Sequence, residues 1–154
     1  EMERSLFYSL VMLLAIFSQC KPYTIDSQGI TGQVTWLEGN QMPMVTEDGK
    51  PDVKSTPKPI KRSVRVYPLV KIQELKMEDG LFAPIAEKPL KEVETDENGR
   101  YSISLSPGRY SVFIVEAGGL FANSFDSEGN VQPVTVKSGE WTIVDVVVNY
   151  AAFF

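Results

Sequence analysis

The chain has 154 residues, 43% hydrophobic and 23% charged, room for one globular domain. Its formal net charge is −5, which argues against a nucleic-acid partner, since phosphate binding needs a basic surface. It holds no histidine and one cysteine, so the commonest metal ligand, the usual neutral-pH general base and any internal disulfide are missing.

Leu6 to Phe17 is an apolar run interrupted by Ser9. It falls short of the about 20 residues that span a bilayer, but has the length of a signal-peptide apolar region, with Arg4 ahead of it. The run ends in Phe17-Ser18-Gln19-Cys20. This resembles a lipobox of the loose kind typical of Bacteroidota lipoproteins, with Phe17 and Gln19 where Leu and Gly or Ala are usual. The resemblance implies a signal peptide over 1–19 and lipid on Cys20; the alternative is an ordinary secretory signal with a chance cysteine. Acyl chains at Cys20 would anchor the chain, at about 0.8 kcal/mol per buried CH₂. Residues 20–28 then read as lipidated cysteine and tether, and 29–154 as the folded domain.

Gly29 to Trp36 reads as the first strand, with Ile30, Gly32, Val34 and Trp36 on one face. Gly32 inside it predicts close approach by a backbone or a bulky side chain. Trp36 reads as a core-edge anchor or, alternatively, a binding platform. Residues 44–62 have no apolar period and carry prolines with Lys50, Lys54, Lys58, Lys61 and Arg62. They read as a solvated excursion or as a basic arm for a partner or anionic headgroups. Ser63 to Val70 is a second strand that Pro68 limits. Residues 71–88 fit neither period and read as a second excursion, with a short strand or helical turn. Pro89 to Thr95 leads into Asp96-Glu97-Asn98-Gly99, a hairpin signal because Asn and Gly tolerate positive φ. Tyr101, Ile103 and Leu105 then alternate with polar residues. Ser106-Pro107-Gly108 breaks the chain before Tyr110, Val112 and Ile114, with Phe113 and Val115 on the other face. Leu120, Phe121 and Phe125 fall in a glycine-broken loop. Val131 to Lys137 is a strand, and Trp141 to Tyr150 is the last, its near-continuous apolar content predicting a central strand covered on both faces. About seven short strands separated by turns predict an all-β sandwich.

Gly29-Ile30-Thr31-Gly32-Gln33-Val34, Thr95-Asp96-Glu97-Asn98-Gly99-Arg100-Tyr101 and Pro107-Gly108-Arg109-Tyr110-Ser111-Val112 together resemble the carboxypeptidase regulatory-like domain. The resemblance covers most of 29–150, apart from the excursions at about 44–62 and 71–88. It implies a transthyretin-like sandwich and a non-catalytic module, often attached to enzymes or outer-membrane transporters. The enzymes of that fold, the 5-hydroxyisourate hydrolases, use histidines, which this chain lacks. An internal isopeptide bond would need a first-strand lysine, also missing. The Asp96–Gly99 and Asp126–Asn130 clusters fall short of the six to eight oxygens calcium takes and read as turns. Glu92 and Glu94 share a polar strand face and read as surface charge rather than as a glycosidase pair.

No catalytic residue, metal or cofactor is therefore expected. The expectation is a lipid-anchored outer-membrane protein, on the periplasmic face or the cell surface, serving a transport, secretion or assembly complex. Candidate partner contacts are Lys54, Lys58, Lys61, Arg62, Leu120, Phe121, Phe125, Phe153 and Phe154. The alternative is a carbohydrate-binding module that stacks sugars on Trp36, Tyr67 or Phe121.

Overall fold

The structure, a computed structural model, describes residues 27–42, 47–49 and 55–154. In chain order the strands are β1 (Gly29–Trp36), β2 (Gly39–Asn40), β3 (Lys58–Pro59), β4 (Ser63–Pro68), β5 (Met77–Glu78), β6 (Leu81–Phe82) and β7 (Lys91–Glu94). Then come β8 (Arg100–Ser104), β9 (Gly108–Glu116), β10 (Gly119–Phe121), β11 (Pro133–Val136), β12 (Trp141–Ile143), β13 (Val146–Val148) and β14 (Ala152–Phe153). A 3₁₀ turn lies at Ile72–Glu74, and no helix among the described residues is long and apolar enough to cross a membrane.

Two sheets form a β-sandwich. In the first, β1 is central: antiparallel β8 and then β3 flank one side, parallel β12 and then β13 the other. The second is built on β9, with β4 and β7 on one side and β11, β10, β6 and β5 on the other. Ile30, Val34, Ile103, Val146 and Val148 from the β1 sheet meet Val64, Val66, Val112, Ile114 and Val134 from the β9 sheet. Each fully buried apolar side chain of this kind contributes about 1.5–3 kcal/mol.

The β9 sheet has a second core on its other face. Tyr67, Phe113, Phe82, Leu120, Ala122 and Val131 pack there with Val70, Leu75 and Ile85. Phe113 meets Tyr67 and Phe82 edge-on, at 5.8 and 6.0 Å between ring centres. The cover comes from the excursion over 71–88 and from Ala122 and Val131. That excursion holds the short strand and helical turn expected of it, as β5, β6 and the 3₁₀ turn at Ile72–Glu74, and it acts as a structural lid. Its apolar residues reach the core from a two-residue strand at Phe82 and from irregular backbone at Leu75 and Ile85, which is why they show no period.

Two expectations about strand arrangement are corrected. Asp96–Gly99 is not a hairpin turn: β7 pairs with β4 in one sheet and β8 with β1 in the other. The turn is a corner between sheets. Asp96 Oδ1 accepts the Asn98 and Arg100 amides, both at 2.8 Å. Gly99 has φ of 71° and lies against β1, where a Cβ would stand 2.2 Å from the Val34 carbonyl oxygen. Ser106-Pro107 makes a second corner, since β9 returns to the other sheet. The last strand is an edge and not a central strand: its apolar residues alternate, with Val144, Val146 and Val148 buried and Ile143 74% exposed. The strand buried on both faces is β9.

Gly32 confirms its reading. β12 and β13 keep one register against β1, but the ladder is interrupted between them. The Val144 carbonyl turns inward to accept the Tyr101 hydroxyl at 2.7 Å. Asp145 Oδ1 takes the vacated Gln33 amide at 2.8 Å. A Cβ on Gly32 would lie 2.0 Å from that carbonyl oxygen. Burial first, and then the Asp145 charge, push the Tyr101 hydroxyl well above the usual phenol range.

Candidate functional site

At the C-terminal end of β1 the inward-facing row of that strand runs out of cover. Trp36, the last member of the row, is half-buried and stands edge-on to Tyr150, with ring centres 5.3 Å apart. Phe121 lies on the other side of Tyr150 at 6.0 Å. The turn between β5 and β6 rests on the same ring: a Cβ on Gly80 would lie 2.9 Å from the Tyr150 Cβ. Val148 holds this end closed, its carbonyl accepting the Leu37 amide.

An ion pair sits beneath. Glu116 ends β9 with its side chain 3% exposed, and Arg62 Nε donates to Glu116 Oε1 at 2.7 Å. The Tyr150 hydroxyl donates to Glu116 Oε2 at 3.1 Å. Arg62 is set in place through Thr95, whose hydroxyl accepts the Arg62 amide and donates to the Ile60 carbonyl. Each carboxylate oxygen accepts one of these bonds, so the buried group acts as a structural anchor. Desolvation and the Glu116 charge raise the Tyr150 hydroxyl above its ordinary value.

Exposed groups ring this end. β3 places Lys58 across from Trp36. β14 pairs with β2, Phe153 opposite Asn40, and the Phe153 carbonyl accepts the Gln41 amide at 2.7 Å. That pairing fixes the tail's backbone while leaving the Phe153 and Phe154 rings 69% exposed, with Met42 51% exposed nearby in sequence to β2. Lys61 reaches Glu94 and Glu97 at 3.9 and 3.8 Å, exposed pairs worth little energetically.

Of the expected contact residues, Trp36, Lys58, Arg62, Phe121, Phe153 and Phe154 are gathered here from five separate parts of the chain. Leu120 and Phe121 are corrected as surface contacts: both are 2% exposed in β10, one in each core. Tyr67 is corrected as a stacking platform, being buried between Phe113 and the lid. Phe125 is half-exposed elsewhere, against Phe82. Cys20 and Lys54 lie outside the described residues. Glu116 and Tyr150 were missed; the apolar start of the last strand drew attention away from its end, and a carboxylate closing an apolar strand was the available signal.

The Asp126 turn is self-contained. Its Oδ1 accepts the Asn130 and Glu128 amides, and Oδ2 accepts from Asn130 Nδ2 and Arg109. These bonds, the Asn130 side chain foremost, lower its carboxyl to about 2. Among the described residues no three Asp, Glu or Cys side chains gather to hold a metal.

The chain matches no described protein family and no curated protein. Among solved structures it is similar to GBS52, the minor pilin of the Gram-positive pathogen Streptococcus agalactiae, at 16% identity and a TM-score of 0.42. The likeness covers 79% of this chain and 44% of the pilin chain, so this chain spans less than half of that protein.

Proposed function

We propose that the protein is a non-catalytic, carboxypeptidase regulatory-like sandwich, anchored in the outer membrane through lipid on Cys20. In this reading it serves as an accessory or structural subunit of an outer-membrane protein complex. The observation that carries the reading is the Tyr150 end: an aromatic and basic rim around a buried ion pair, with two phenylalanine rings held in solvent by a fixed backbone. Solvated aromatic rings beside a cation are the side chains that protein interfaces favour. The tether enters at the opposite end of β1, about 25 Å away at strand rise, so the anchor and the rim would not compete for the same surface.

Two measurements test this. Cys20→Ala should move the protein from the membrane to the soluble fraction; retention on the membrane defeats the lipid anchor. Affinity capture from detergent-solubilised envelopes should return one stoichiometric membrane partner, lost when Phe153 and Phe154 are both replaced by Ser. Capture that ignores the double substitution defeats the assignment of the rim.

A further inference from the structure

The second sheet of a sandwich often shows water a plain polar face. The outer face of the β1 sheet is not plain. Register aligns it in rows: Ser104, Gly29 and Trp141 in one, Ser102, Thr31 and Ile143 in the next. The same register brings Arg100, Gln33 and Asp145 into a third, where Asp145 holds the Gln33 amide. The second and third rows, with Asp96 at the rim, enclose an open cleft of ≈ 580 Å³, within the range that small ligands occupy.

We propose that this cleft binds a neutral saccharide. The inference is independent of the partner assigned to the Tyr150 end, because it uses none of the same residues. Two features argue for it. First, the face carries an apolar strip in the midst of polar groups: Ile143 is 74% exposed and Trp141 41%. The Trp141 ring lies over Gly29, where a Cβ would stand 2.9 Å from Cζ3. A flat, partly exposed indole beside an aliphatic side chain offers an apolar surface to the C–H face of a sugar ring.

Second, the polar groups beside the strip supply donors and acceptors together. The Arg100 guanidinium has no partner among the described residues, while its backbone amide is fixed on Asp96. Asp145 spends Oδ1 on Gln33 and has Oδ2 remaining. The Thr31 hydroxyl donates to the Tyr101 carbonyl at 2.9 Å and so can only accept, from Ser102 at 3.0 Å or from a ligand, while the Ser102 hydroxyl can turn to donate or accept. Sugar hydroxyls are donor and acceptor at once and need such a mixture. Charge selects among ligands: one guanidinium stands against the carboxylates of Asp96 and Asp145, a balance that disfavours anions. An apolar strip with mixed hydrogen-bonding groups and no net positive charge fits a hydroxyl-rich neutral ring better than a phosphate or a uronate.

The test is calorimetric titration of the full chain in detergent with cellohexaose, maltohexaose and hexagalacturonate. At least one neutral hexasaccharide should bind with one site per chain. Arg100→Ala and Trp141→Ala should each weaken that binding about tenfold, the scale of one lost charge-assisted contact. Arg100→Ala should unfold at the wild-type temperature, since its exposed side chain has no partner among the described residues, and Trp141→Ala should remain folded at the temperature of the titration. Absence of binding to both neutral sugars at millimolar concentration overturns the proposal. So does binding of hexagalacturonate alone, or neutral-sugar binding that survives both substitutions.

Discussion

The β9 sheet is covered on both faces, and the β1 sheet on one. In β9 the run Ser111-Val112-Phe113-Ile114 is buried without interruption, because even positions face the other sheet and odd positions face the lid. In β1 the inward residues Ile30 and Val34 are buried while Thr31, Gln33 and Thr35 look outward. The difference teaches where this molecule stores stability and where it has surface to spare. The segment over 71–88 covers one side of the sandwich, with a cleft of ≈ 650 Å³ left between it and Pro68, Leu69 and Val70, whereas no element covers the outer face of the β1 sheet among the described residues.

The sharpest way to break that comparison is to empty the second core. Phe113→Ala removes a fully buried ring between Tyr67 and Phe82, and should cost about 3–5 kcal/mol in urea unfolding. A loss below about 1 kcal/mol would mean that the lid does not pack as described. Glu116→Ala comes next. It strips the buried acceptor shared by Arg62 and Tyr150, and should destabilise by about 2–3 kcal/mol, discounted because Arg62 is 35% exposed. Hydrogen exchange should rise at residues 150–153 in that variant, because the ring that fixes the tail loses its hydroxyl partner.

The lid side should also respond to acid. The folded Asp126 carboxyl sits near 2, below the about 3.9 of an unfolded chain. Its contribution is therefore complete above about pH 4 and is lost as pH falls towards 2. Asp126→Asn should flatten that part of the stability–pH curve, being less stable than wild type at neutral pH and converging with it as pH falls towards 2. The smallest effect belongs to the open face: Ile143→Ser should change stability by no more than about 0.5 kcal/mol, despite lying in a strand.

Much of this was legible in the chain. The alternation through Tyr101, Ile103 and Leu105 located β8, and residues 112–115 put apolar side chains on both faces of β9, although the near-continuous apolar run of Trp141 to Tyr150 points to the last strand as the doubly covered one. Gly32 announced a close approach that proved to be the Val144 carbonyl. What turn chemistry could not tell was destination. Asp96, Asn98 and Gly99 specify a tight reversal with positive φ, and a hairpin and a sheet-switching corner need the same residues. The lid was hidden because irregular backbone delivers Leu75 and Ile85 to the core, and a strand of two residues delivers Phe82, too short a stretch to show a period. The candidate site was half visible: Trp36, Lys58 and the Phe153-Phe154 pair could be singled out, but their meeting around Tyr150 depends on β3 and β14, each two residues long. Leu120 and Phe121 read as loop residues because Gly118 and Gly119 open a strand only three residues long.

The central claim is that the Tyr150 end, and not the sealed side of the sandwich, is where another protein docks. A photo-crosslinking residue placed at Phe153 tests it directly in intact envelopes, with a second variant carrying the same residue at Met77 on the lid. The account predicts one discrete protein adduct from position 153 and none from position 77. An adduct from position 77 with none from position 153 would contradict it.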